Sequence, residues 1–146
     1  MRDGCQTRMV RAGITPRIIT NNTPVSSTIL DTQGWEWVKA TIVIGPLADA
    51  DATFVPQFTS STDSGMAGAV AIPDSLLVSQ QDGVAPELAA SFGDNRPNEV
   101  RKIEILPTSR YVQCIITPSG NSADAFISLA WELGAPMHGS VVQLAA

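Results

Sequence analysis

Histidine and tyrosine each occur once in this sequence, cysteine occurs twice, and no lysine or arginine follows Arg110. Each shortage excludes something. One histidine and two distant cysteines cannot assemble a tetrahedral zinc set without carboxylates, and Cys5 and Cys114 match no zinc or redox spacing. A bridge between the two cysteines is neither required nor ruled out. His138 lies in a Pro-Met-His-Gly turn with no G-x-S-x-G partner in the chain, so it reads as an exposed loop histidine. No phosphate-cradling glycine loop of the P-loop or dinucleotide kind occurs. Aromatic platforms for sugars are scarce, and most aromatics fall at core-like strand positions.

No apolar run approaches the ~20 residues of a membrane span, so no membrane partner is expected. The opening MRDGCQTRMVRAG carries charge where a secretion signal needs an apolar stretch, and export by that route is not expected. Without export, the sequon at Asn21-Asn22-Thr23 means little. Asp49 and Asp51 have the spacing of part of a calcium loop but lack its turn glycine and closing glutamate; a strand-connecting turn is the better account. No catalytic, cofactor-binding or metal-binding residue is therefore assigned, and no cofactor is expected. The chain reads as a non-enzyme.

What is present is a foldable, weakly charged chain of 146 residues, 44% apolar and 16% charged. That length suffices for a core without staples. The charge is uneven. Arg2, Arg8, Arg11 and Arg17 against Asp3 give the first 20 residues a net charge of +3, while the remainder carries −8. An acidic body repels phosphate, so nucleic acid is not an expected partner. Two accounts of the basic start stand side by side: a solvated terminus, and an arm lying along an acidic surface such as another copy's body.

Apolar residues recur with period two, the mark of half-buried strands. In WEWVKATIVIG, Val38, Ala40, Ile42 and Ile44 share one face, and Trp35, Trp37, Lys39, Thr41 and Val43 the other. Both faces are partly apolar, which predicts a central strand. Pro56 in ATFVPQFTSS predicts an edge strand or a bulge, because proline cannot donate to a ladder. In EVRKIEIL, Arg101, Ile103 and Ile105 alternate with Val100, Lys102 and Glu104. Val112, Cys114 and Ile116 share a face of RYVQCIITP, which makes Cys114 a buried, inert thiol. Ala125, Ile127, Leu129, Trp131 and Leu133 share a face of AFISLAWELG. The compact polar loop between these last two strands predicts a hairpin. Six to eight strands with at most one short helix predict an all-β fold, an antiparallel sandwich or jelly roll. The expected layout is an extended N-terminal arm (1–24), a sandwich (25–138) with an irregular insertion (73–97), and a C-terminal tail (139–146).

The succession DTQGWEWVKATIVIG, ATFVPQFTSSTDSG and RKIEILPTSRYVQCIITPSGNSADAFISLAWELG resembles small structural proteins of tailed-bacteriophage heads. The likeness rests on the Asp-x-x-Gly-Trp lead into the first long strand, the short strand before a Ser/Asp/Gly turn, and Ser109-Arg110-Tyr111-Val112 opening the penultimate strand. The small-residue loop before the last strand completes it. It covers residues 31–138. The resemblance implies a capsid decoration, or cement, protein: a virion component on the outer capsid surface, assembled in the host cytoplasm. Its expected partners are the major capsid protein and itself, as a dimer or trimer. No catalytic residues accompany that family. The candidate interface residues are Arg2, Arg8, Arg11 and Arg17 on the arm, Val141, Val142 and Leu144 on the tail, and Trp35, Trp37 and Tyr111 as aromatic anchors or core fillers. A head–tail connector or tail-associated protein is the nearest alternative, and a carbohydrate-binding or adhesin module is the alternative from another class.

Overall fold

The computed structural model describes residues 8–79, 91–93 and 97–136. Arg2, Cys5, His138, Val141, Val142, Leu144 and the whole 139–146 tail lie outside the described residues, as does much of the 73–97 insertion.

The chain forms β1 (Arg8–Ile19), β2 (Val25–Ser26), β3 (Leu30–Asp31), β4 (Trp35–Leu47), β5 (Thr53–Ser61) and β6 (Val70–Ala71). It continues with β7 (Leu77–Ser79), β8 (Phe92–Gly93), β9 (Val100–Ile105), β10 (Tyr111–Ser119) and β11 (Ala125–Pro136). One 3-10 turn, Asp74–Leu76, precedes β7. The larger strands pair antiparallel in two sheets, one ordered β1-β11-β4-β9-β7 and the other β2-β10-β5-β6, with β3 on β10 and β8 on β5. The protein is an all-β sandwich.

The period-two pattern dictates what the sheets enclose. Val38, Ala40, Ile42 and Ile44 of β4 are all buried, as are Ile103 and Ile105 of β9 and Ile127, Leu129, Trp131 and Leu133 of β11. From the facing sheet come Phe54 and Phe58 of β5 and Val112, Cys114 and Ile116 of β10. Phe58 meets Trp131 edge-on with ring centroids 6.2 Å apart, and Phe54 stacks on Phe92 at 4.9 Å. The Phe58–Trp131 contact joins the two sheets beyond simple area burial, while the Phe54–Phe92 stack pairs β5 with β8 within one sheet. As expected, β4 is central, with β11 on one side and β9 on the other. Pro56 lies in the part of β5 between the residues paired to β8 and those paired to β6, where a missing N–H leaves no outer ladder bond unmade.

Two expectations are corrected. From Arg8 onward, the segment read as an extended N-terminal arm is a strand of the five-stranded sheet, paired with β11 from Arg8↔Gly134 to Ile19↔Ala125. Ile14 and Ile19 supply the reason: both are buried, so this stretch has an apolar side to bring to the core. At the bulge after Ala12, Gly13 lets β1 close over its neighbour; a Cβ there would fall 2.2 Å from Leu129 Cδ2. The second correction concerns β10 and β11, which do not form a hairpin. They belong to different sheets, and residues 120–124 cross between them. The crossing is tied from outside. Asp49 Oδ2 accepts hydrogen bonds from the Ser122 N–H at 2.8 Å and the Ser122 hydroxyl at 2.7 Å. The Asn121 N–H donates to Asn22 Oδ1 at 2.8 Å. Asp49 is thus a turn residue, as expected, and the hydrogen bonds from Ser122 and Asp51 hold its carboxyl below the ordinary aspartate range.

Candidate functional site

The outer face of the five-stranded sheet follows directly from its register. One transverse row runs Val10, Glu132, Lys39, Glu104, Val78 across all five strands. Charge of alternating sign holds its centre. Glu132 Oε2 lies 2.8 Å from Lys39 Nζ, and Glu132 Oε1 lies 2.9 Å from Arg8 Nη1. The hydrogen bond from Lys39 and, after it, the one from Arg8 hold the Glu132 carboxyl below the usual glutamate range, against an opposing push from burial.

The next row toward the start of β1 is Arg8, Gly134, Trp37. The Trp37 indole fills the space above Gly134, and both the Arg8 guanidinium carbon and Lys39 Nζ lie 5.9 Å from its ring centroid. Trp37 is therefore half-buried beneath two cations.

At the opposite end the face turns apolar. Ile18, Val43, Val100 and Phe126 are each more than two-fifths exposed, at 46, 45, 46 and 41%. Phe126 and Ile18 are register partners, and with Pro16, Val43 and the Arg17 stem they line a hollow of about 310 Å³. A cluster of exposed large apolar groups is the usual mark of a contact surface.

A second concavity of about 540 Å³ opens between β1 and the segment 28–35. Met9, Leu30, Trp35 and Leu133 form its apolar floor, and Arg11 and Asp31 stand at its rim. Arg110 grips Asp31 with a two-pronged fork, Nε to Oδ1 at 2.9 Å and Nη2 to Oδ2 at 2.7 Å. That fork holds the Asp31 carboxyl below its ordinary value and raises the Arg110 guanidinium. The same guanidinium lies 5.1 Å from the Tyr111 ring centroid. Among the described residues, Arg11 and Arg17 have no carboxylate within ion-pair distance.

Of the residues singled out in the sequence, Arg8, Arg11 and Arg17 come together along one strand, each in a different setting. Trp37 joins Arg8 on the outer face. Trp35 is buried at the groove, 7% exposed, and serves the core. Tyr111 lies on the other sheet, paired with Asp31 and Ser61. The apolar cluster around Phe126 was missed. Its signal was present in AFISLAWELG, where Phe126 is the one large ring on the face opposite Ile127, Leu129 and Trp131. No group of three or more histidine, cysteine, aspartate or glutamate side chains is placed to hold a metal among the described residues.

No protein-family model matches the chain, and no curated protein matches it.

Proposed function

We propose that this protein is a non-enzymatic decoration protein of a bacteriophage capsid, one that binds the outer shell and stabilises it by bridging capsomers. The observation that carries the reading is the exposed apolar cluster of Ile18, Val43, Val100 and Phe126 beside an arginine-bearing strand of an otherwise acidic chain. Such a surface suits adhesion to another protein, with apolar area supplying affinity and the cations supplying orientation. The resemblance of residues 31–138 to small phage-head proteins supports the same reading.

The physics of the role is simple. Packaged DNA pushes outward on a head, and a subunit that binds the mature shell stabilises it by its binding free energy. Many copies make individually modest contacts collectively strong. The partners on this reading are the major capsid protein and further copies of the chain, and the place is the outer surface of the virion. The test is a mass-spectrometric count of the chain per purified particle. Many copies spread over the shell support decoration. A few copies confined to one vertex indicate a connector, and absence from particles ends the reading.

A further inference from the structure

Strand β1 is a sheet edge: among the described residues its far side pairs with no other strand. Its sequence, RMVRAGITPRII, holds three arginines and no acid. Most of that edge is closed. Thr28 covers the middle, its N–H donating to Gly13 O at 2.9 Å and its hydroxyl to Ala12 O at 2.8 Å. Beyond Ile14 the register shifts before Arg17, and Pro16 has no N–H to offer. Asn121 Nδ2 donates to Ile19 O at 3.3 Å at the far end.

The stretch from Arg8 to Arg11 is different. It keeps unbroken register with β11 on its inner side, which holds it straight. Alongside it runs the groove floored by Met9, Leu30, Trp35 and Leu133. Of the two charged groups at the rim, Asp31 is engaged by Arg110, whereas Arg11 is paired with no carboxylate among the described residues. A straight edge, an apolar trough of about 540 Å³ and an unpaired cation stand side by side.

We infer that the Arg8–Arg11 edge accepts an extended, carboxylate-bearing segment of a partner protein as an added antiparallel strand. Main-chain hydrogen bonds to β1 supply affinity, and alternate side chains of the guest enter the groove. There an apolar one meets Leu30 and Leu133, and a carboxylate meets Arg11. A second copy's β1 is the wrong guest, because it sets three arginines against three with no acid between them. The site rests on the decoration reading only for the guest's owner, which on that reading is the shell protein.

The probe is an end-capped hexapeptide, Val-Thr-Glu-Thr-Val-Thr, which puts valine and glutamate on the same strand face, titrated into the full chain while amide hydrogen exchange is followed. The expected result is slowed exchange at Arg8–Arg11 and the facing 28–33 segment. Binding should weaken about tenfold or more in Arg11→Glu, the equivalent of about 1.4 kcal/mol. It should fall by less in Arg11→Gln and stay unchanged in Lys102→Glu, on the exposed face of β9. A valine–lysine counterpart should not bind. Equal binding of the lysine peptide, protection confined to other strands, or indifference to both Arg11 variants overturns the inference. So does protection of the same amides by self-association without peptide. A folded Arg11→Glu chain that loses the peptide but still occupies heads at the wild-type level overturns the shell protein as the guest's owner and leaves decoration standing. A wild-type chain that takes the peptide but is missing from particles removes decoration and leaves the strand-addition site intact.

Discussion

The Trp37 indole occupies the space that a side chain on Gly134 would need: a Cβ built at Gly134 falls 2.0 Å from Trp37 Cζ2. Arg8 and Lys39 then bracket the ring, and Glu132 bridges the two cations. A single hydrogen at position 134 thus allows one end of the sheet's outer face to be built. Gly134→Ala is expected to push the indole outward, expose it and cost about 1–3 kcal/mol by overpacking. Denaturant unfolding, with the shift of tryptophan emission as a second signal, measures both effects.

Stability should depend on the inter-sheet rings far more than on the surface pairs. Phe58 is fully buried against Trp131, so Phe58→Ala is expected to cost about 3–5 kcal/mol through the cavity it leaves. The Arg110–Asp31 fork has good geometry, but both side chains are nearly half exposed, at 46 and 45%. Water screens that pair, and Arg110→Ala should cost far less than Phe58→Ala. Paired thermal melts of the two variants decide the ranking.

Acid should loosen the outer face at Glu132. Its folded-state carboxyl lies below the ordinary range because Lys39 and Arg8 favour its charged form. A depressed acid contributes stability that is present above its unfolded value, about 4.3 for glutamate, and that disappears as pH falls through the folded value. The melting temperature of the wild type should therefore drop more steeply than that of Glu132→Gln below about pH 4.3. Parallel curves from pH 7 to pH 3 would show that the bridge contributes nothing.

Phe126→Ser separates binding from folding. The ring is 41% exposed and its removal opens no core cavity, so unfolding free energy should fall by no more than about 2 kcal/mol and the chain should stay folded. Occupancy on decorated heads should nevertheless fall severalfold, read as band intensity relative to the shell protein. Full occupancy by the folded variant would move the contact surface elsewhere.

Strand faces were legible in the sequence because period two is a local property. Val38 to Ile44, Val112 to Ile116 and Ala125 to Leu133 could be assigned by parity alone, and the burial of Cys114 followed. Sheet membership was not legible. A short polar loop after β10 suits a hairpin as well as a crossing, and the groups that decide between them, Asp49 and Asn22, are remote in sequence. Strand β1 was obscured by its arginines: charge density suggested a solvated arm, while the sparse apolar signal of Ile14 and Ile19 was enough to bind it to β11. Within the candidate site, the aromatic positions were visible but their roles were not. Trp35 and Trp37 are two residues apart on β4, yet one is buried beside Leu30 and the other lies under two cations. What separates them is the turn at Gln33–Gly34 and the absence of a side chain at Gly134, both outside the reach of strand parity.

The last described strand, β11, lies between the first, β1, and β4. During synthesis, β1 and β4 leave the ribosome with the position between them empty, and the five-stranded sheet cannot close until Ala125–Pro136 has emerged. Nascent chains interrupted before that point hold the apolar sides of both strands without the strand that joins them, the kind of surface that is prone to aggregate during translation.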